Sequence, residues 1–161
     1  MPDTLIVSFF RHKAWADANM FDALKAVPAE QRAAISMPLL VLNHAAIVDQ
    51  VFRARLLGET PAFDSVIPKS MPSLAALSDT VRTTDAWYID YVRAVTDAEL
   101  AETVDFVFIS DGDKGHMTRQ EMLVHVLTHG HSHRSQVGQM LDSASIRSGA
   151  DMFSTFLREA G

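Results

Sequence analysis

Residues Thr118–Leu141 read TRQEMLVHVLTHGHSHRSQVGQML. The opening TRQE has the S/T-x-x-E/Q form of a capping box, with Thr118 as cap and Glu121 reaching back to it. Met122, Val126, His129, His133, Val137 and Met140 then recur at helical spacing. The stretch therefore predicts a helix over about residues 118–141 with one apolar stripe. Four of the chain's seven histidines, His125, His129, His131 and His133, fall within it. Three of them stand four residues apart, and residues at that spacing share one face of a helix. The row His125, His129, His133 lies on or beside the apolar stripe, where an unpaired buried polar group costs on the order of 1–3 kcal/mol.

Three other long helices surround this one in the sequence. The first spans about residues 4–27, with Asp3 or Thr4 as cap and Pro28 beyond its end. Its inward positions include Ile6, Phe10, Ala14, the Asn19–Phe21 run and Leu24. The second spans about residues 37–57, with Ser36 as cap, Pro38 just inside and Gly58 just after. The third runs over about residues 73–95 and is capped by Ser73. A short turn joins the first two, which makes them antiparallel neighbours. The second and third are joined by GETPAFDSVIPKSMP, Gly58–Pro72. That segment extends to about 45–50 Å, against about 30 Å for a helix of about 20 residues. It is long enough to return along the molecule, so that these two helices run parallel, and Pro61, Pro68 and Pro72 keep it extended. Thr103–Ser110 is rich in β-branched and aromatic residues and precedes the turn DGDKG, which predicts a short strand or small hairpin. After the loop 142–151, a short helix closes the chain over about residues 151–159.

Composition limits the function classes. The 161 residues suit one domain with a sizeable core, and 48% hydrophobic with 21% charged residues is ordinary for a globular protein. A formal net charge of −6, with no dense Lys/Arg run, argues against nucleic acid as the main partner. The chain has no cysteine, which removes disulfides, cysteine ligands and cysteine nucleophiles. The N-terminus lacks a signal-peptide apolar run, and no stretch approaches the roughly 18 apolar residues of a membrane span. A soluble, cytoplasmic protein is expected, with no membrane partner.

A metal ion satisfies imidazoles on an inward stripe. Two histidines at i, i+4 hold one metal in the zinc metalloproteases, but the glutamate that follows the first histidine there is Gly130 here, so that hydrolase chemistry is not supported. A third ligand is expected from another helix. His44 sits in LLVLNHAAIVDQVF in a helical row with Met37, Leu40, Val41, Ile47, Val48 and Val51. His44, His129 and His133 would leave coordination positions open for water or substrate, the pattern of a catalytic rather than a structural metal. Zinc fits, and imidazole also suits nickel, copper and iron. The alternatives are ordinary ones: histidines on a solvated face, or core histidines bonded to backbone or carboxylates. His125 is read as packed or supporting rather than ligating, His131 as solvent-facing, His116 as exposed in a turn, and His12 without a role.

The segment HVLTHGHSHRSQVGQML resembles the signature of the DinB/YfiT-like metalloenzymes, H-x-x-x-H-R-G-Q. His129, His133, Arg134 and Gln136 match it, and Ser135 replaces the usual glycine. FFRHKAWADANMFDAL is similar to that family's first helix, with Trp15 and Asn19, and LLVLNHAAIVDQVF to its second, whose histidine falls on His44. SDGDKGHMTRQEMLVHV is similar to its lead-in to the last long helix. The resemblance implies an all-α four-helix bundle of up-down-down-up topology, a divalent metal held by His44, His129 and His133, and a homodimer. Zinc or nickel is the expected metal, with iron or copper as alternatives. Ser135 is expected to face away from the metal.

The resemblance also implies chemistry. Characterised branches of this superfamily include transferases and isomerases that use low-molecular-weight thiols. The expected function is a metal-dependent transferase using a small thiol or acting on an electrophilic small molecule. The alternatives are a non-catalytic metal- or small-ligand-binding stress-response protein, and a helical scaffold whose histidines merely pack. Asp17, Asn19, Asp49, Glu121 and Gln136 are candidates to support the ligands, and spacing does not choose among them. Arg134 either binds an anionic cosubstrate or pairs with a carboxylate at the surface.

Overall fold

The computed structural model describes residues 3–159. Among them it has six α-helices, a 3₁₀ segment and a two-stranded sheet. Helix α1, Leu5–Lys25, starts where the Thr4 side chain accepts from the Val7 N–H. Helix α2, Ser36–Leu56, has no side-chain cap. Ser36 was the expected cap, but it is already helical, because the 3₁₀ turns of Ala29–Ile35 lead the chain straight into the helix. Gly58 follows α2 with φ +71°, a left-handed conformation that glycine adopts without a Cβ clash.

Helix α3, Leu74–Ala94, is capped by Ser73, which accepts from Ala76 N–H at 3.1 Å. A one-turn helix α4, Asp97–Leu100, has its own capping box from Thr96 and Glu99. Strands β1, Thr103–Val107, and β2, Lys114–Thr118, pair antiparallel with Thr103 opposite Thr118, and Gly112 turns the loop at φ +81°. His116 therefore lies on a strand rather than in a turn, exposed and bonded to Asp105 across the pair. Helix α5, Arg119–Ser143, opens with the expected capping box: Glu121 N–H donates to Thr118 Oγ1 and Thr118 N–H to the Glu121 carboxylate. Helix α6, Phe153–Glu159, ends the described chain.

The four long helices share a layered interior. At one end Met20, Leu24, Leu42, Leu77, Val137 and Leu141 form an apolar cluster. At the other, Val7, Phe10, Phe52, Tyr88, Met122 and Val126 form a second. On each helix the residues between these sets are polar: Lys13 and Asp17 on α1, Asp49 on α2, Asp85 on α3, Arg134 on α5, all buried. The main packing partners are α1 with α3 and α2 with α5. Residues 29–56 do contain a window long and apolar enough, by length and composition, to cross a membrane, where none was expected. Some 61% of that window is buried in the protein. Its apolar character serves a core helix that packs on two neighbours.

The segment after α5 returns over α1. Asn19 Nδ2 donates to Ala150 O at 3.2 Å, and a Cβ at Gly149 would stand 2.5 Å from the Asn19 backbone. Only a residue without a side chain permits that approach. Gly149→Ala is expected to cost on the order of 1–2 kcal/mol through forced backbone displacement, read as a lower thermal midpoint.

Candidate metal centre

His44 on α2 and His129 and His133 on α5 meet at the level of the polar layer. One ligating nitrogen from each lies within 4.8 Å of the other two. Ring centroids are 5.2 Å apart for His44 and His129, 4.9 Å for His44 and His133, and 4.4 Å for His129 and His133. The sequence expectation that these three converge therefore holds in the structure.

The tautomers are set from outside the cluster. His44 Nδ1 lies 2.8 Å from Val66 O. A carbonyl only accepts, so Nδ1 carries the proton and Nε2 keeps its lone pair. His133 Nδ1 lies 3.1 Å from Gln136 Oε1, which fixes the same tautomer. The connection between α2 and α3 thus does more than link them: Val66 holds the His44 ring, and Asn43 Nδ2 ties the same segment down through Ser70 O at 3.2 Å. His133 Nε2 and His129 Nε2 face each other at 3.1 Å. Tetrahedral zinc with bonds of about 2.0–2.1 Å sets its nitrogens roughly 3.3 Å apart. The donor set fits a divalent ion in spacing and in chemistry.

Burial, then the neighbouring imidazoles and Lys13, push the His129 pKa down to about 3. Burial also lowers His133, against a smaller opposing effect of Gln136. Both rings are neutral at pH 7 and have lone pairs to offer a metal. His129 Nδ1 is buried with no partner. His125 packs beside the cluster, its ring 4.7 Å from Phe52 and 5.4 Å from His129. It is not within the converging group.

Behind the histidines lies the buried charge layer. Lys13, 2% exposed, places Nζ 2.9 Å from Asp17, 2.8 Å from Asp49 and 2.6 Å from Asp85. Gly130 makes room for it: a Cβ there would stand 3.3 Å from Lys13 Cε. Arg134, also buried, pairs with Asp17 at 3.2 Å and Asp151 at 2.8 Å. Arg134 is thus a core ion-pair residue, neither at the surface nor free for an anion. Burial draws the Asp17 carboxyl up, but Lys13 and Arg134 outweigh it and hold Asp17 below the usual range. For Asp85 and Asp49 burial prevails, and both are raised, Asp85 strongly.

Of the proposed supporting residues, Gln136 bonds His133 directly. Glu121 is committed to its cap, Asn19 to the tail, and Asp17 and Asp49 to Lys13. Lys13 and Asp85 were not singled out from sequence, although both sit on inward helix stripes, Asp85 between Val81 and Tyr88. His12, left without a role, is buried and bonds Asp151 O at 2.8 Å. His131 is exposed as expected. Ser135 faces away from the histidines, into a cleft of about 930 Å³ lined also by Phe9, Val124, Leu127, Met152 and Phe153. That cleft lies on the opposite flank of α5, and none of the three histidines lines it.

No curated protein and no solved structure matches the chain. The DinB family model matches residues 1–157, nearly the whole sequence. With the histidine motif in place on α5 and its partner histidine on α2, the chain belongs to the DinB family.

Proposed function

We propose that this protein is a divalent-metal-dependent enzyme, a transferase that uses a small thiol or acts on an electrophilic small molecule. One observation carries the reading: three histidines from two helices turn their nitrogens toward a common point, with two tautomers fixed from behind. Three neutral nitrogens leave room for an exogenous ligand, and imidazole donors suit zinc or nickel, with iron and copper as alternatives. A bound dication would lower the pKa of a thiol and stabilise the thiolate near neutral pH. The chain has no cysteine, so the sulfur belongs to the cosubstrate. Val66 O and Gln136 keep His44 and His133 in register, and Phe52 backs His125 beside them. The same reading takes the four long helices as one up-down-down-up bundle domain, cytoplasmic and paired with a second copy, acting on small molecules rather than nucleic acid or membrane. The unstructured 57–73 connection is long enough for that topology.

Metal content of protein purified without a histidine tag tests this. About one metal per chain is expected, falling to background in His129→Ala with the helical content unchanged. A metal-free wild type that turns over thiol and electrophile would overturn it. A second reading, a metal- or ligand-binding protein without turnover, is favoured by the position of the 930 Å³ cleft away from the histidines. Screening the loaded protein with several thiols and electrophiles separates the two.

A further inference from the structure

The charge layer behind the histidines is unbalanced. Lys13 and Arg134 are two cations; Asp17, Asp49, Asp85 and Asp151 are four carboxylates joined to them. Fully ionised, the layer would carry two negative charges in excess: Asp17, Asp49 and Asp85 are buried and Asp151 stands at its partly exposed edge, and replacing a buried ion cluster by apolar residues is often stabilising. Three neutral histidines with a divalent ion carry two positive charges. The two groups share one level of the fold. His129 and His133 adjoin Gly130 and Arg134 on α5, and Asp49 follows His44 on α2 by little more than a turn.

Asp49 also has a loose end. It is 4% exposed, its Oδ2 binds Lys13, and its Oδ1 has no partner. The described residues contain one other such buried atom, Nδ1 of His129. An acceptor and a donor-capable nitrogen are thus left unpaired on the two helices that build the seat.

We infer that the buried layer is the counter-charge of a divalent cation at His44, His129 and His133, and that Asp49 is the carboxylate that supports it from behind. The inference rests on the metal-centre reading above and gives that centre an outer support on α1, α2 and α3. The groups facing Asp49 are Lys13 and Asp17 from α1, Asp85 and the Tyr88 hydroxyl from α3, and Arg134 from α5. Tyr88 donates to the Asp49 backbone carbonyl at 2.7 Å, so the helix is held there independently of the carboxylate. Loss of an outer carboxylate typically weakens metal binding by about 10–100-fold.

Zinc affinity measured by chelator competition, together with the thermal midpoint of the metal-free protein, tests it. Asp49→Asn keeps the shape and two of the carboxylates on Lys13. It is expected to weaken zinc binding by about 10–100-fold while leaving the metal-free midpoint equal to or above wild type. A merely structural Asp49 would lower the midpoint and leave zinc affinity alone, and that result, or wild-type affinity in Asp49→Asn, overturns the inference. Exposed Asp105→Asn controls for net charge and should bind zinc as wild type does. If instead His44→Ala and His133→Ala bind zinc as tightly as wild type, the metal-centre reading itself has failed, a distinct outcome.

Discussion

Lys13→Met is expected to destabilise the protein by about 3–5 kcal/mol, the usual cost of removing one partner from a buried ion cluster. The neutral side chain has nearly the same length, so the loss is electrostatic rather than steric. Three carboxylates within 2.9 Å of Nζ would lose their shared cation, only Asp17 keeping a partner in Arg134, and burial denies them water. For a chain of this size each kcal/mol moves the midpoint by about 2–4 °C, so thermal unfolding should begin roughly 6–20 °C lower. Burial lowers the Lys13 pKa, but the three carboxylates reverse this and hold it well above the ordinary value, so the wild-type lysine is charged throughout the neutral range. Adding Asp85→Asn to Lys13→Met should recover part of the loss, because Asp85 is the carboxylate burial disfavours most. A Lys13→Met protein that melts with wild type would mean that the cluster does not hold the helices together.

Why the histidine seat was legible and the lysine cluster was not follows from where each keeps its partners. His129 and His133 announce themselves within one helix, because imidazoles at i, i+4 beside an apolar stripe have no local way to be satisfied. His44 is a lone polar residue in an apolar row, which made it the candidate third ligand before the family resemblance pointed to the same residue. Gln136, three residues past His133, shares its face and was a candidate. Val66 was not, since a backbone carbonyl leaves no trace in residue type. Lys13 shows only Asp17 nearby in sequence, a spacing as common on solvated helix faces as in cores. Its other partners, Asp49 and Asp85, come from α2 and α3, and the polar layer becomes visible only when the four helices are placed side by side. The helices themselves were readable from period and caps. Ser36 was not a cap, because a 3₁₀ lead-in without a sequence signature supplied the first turn.

Acidification is expected to destabilise the metal-free protein, with His129 as the main source. Its folded pKa is about 3 against an ordinary 6.5. The unfolded chain therefore binds a proton at this site below about pH 6.5 that the folded chain refuses until about pH 3, and stability falls as pH falls through that window. His133, His125 and His12, all lowered by burial, act in the same direction. Asp49 and Asp85 act oppositely: their raised folded pKa values let the native state take protons first, which adds stability as pH falls. At about 1.4 kcal/mol per pKa unit, and allowing for the partial exposure of the ring, His129 should account for about 2–3 kcal/mol by pH 4. The measurement is a pair of urea midpoints against pH, for wild type and His129→Asn without metal. The two curves should converge from pH 7 to pH 4 as the wild type loses its advantage, or move apart if asparagine is the better neighbour already at neutral pH. Parallel curves would show that the His129 ring titrates normally and is open to water. A metal bound by neutral imidazoles competes with protons for the same nitrogens, so zinc should raise the wild-type midpoint least at the acid end of the range.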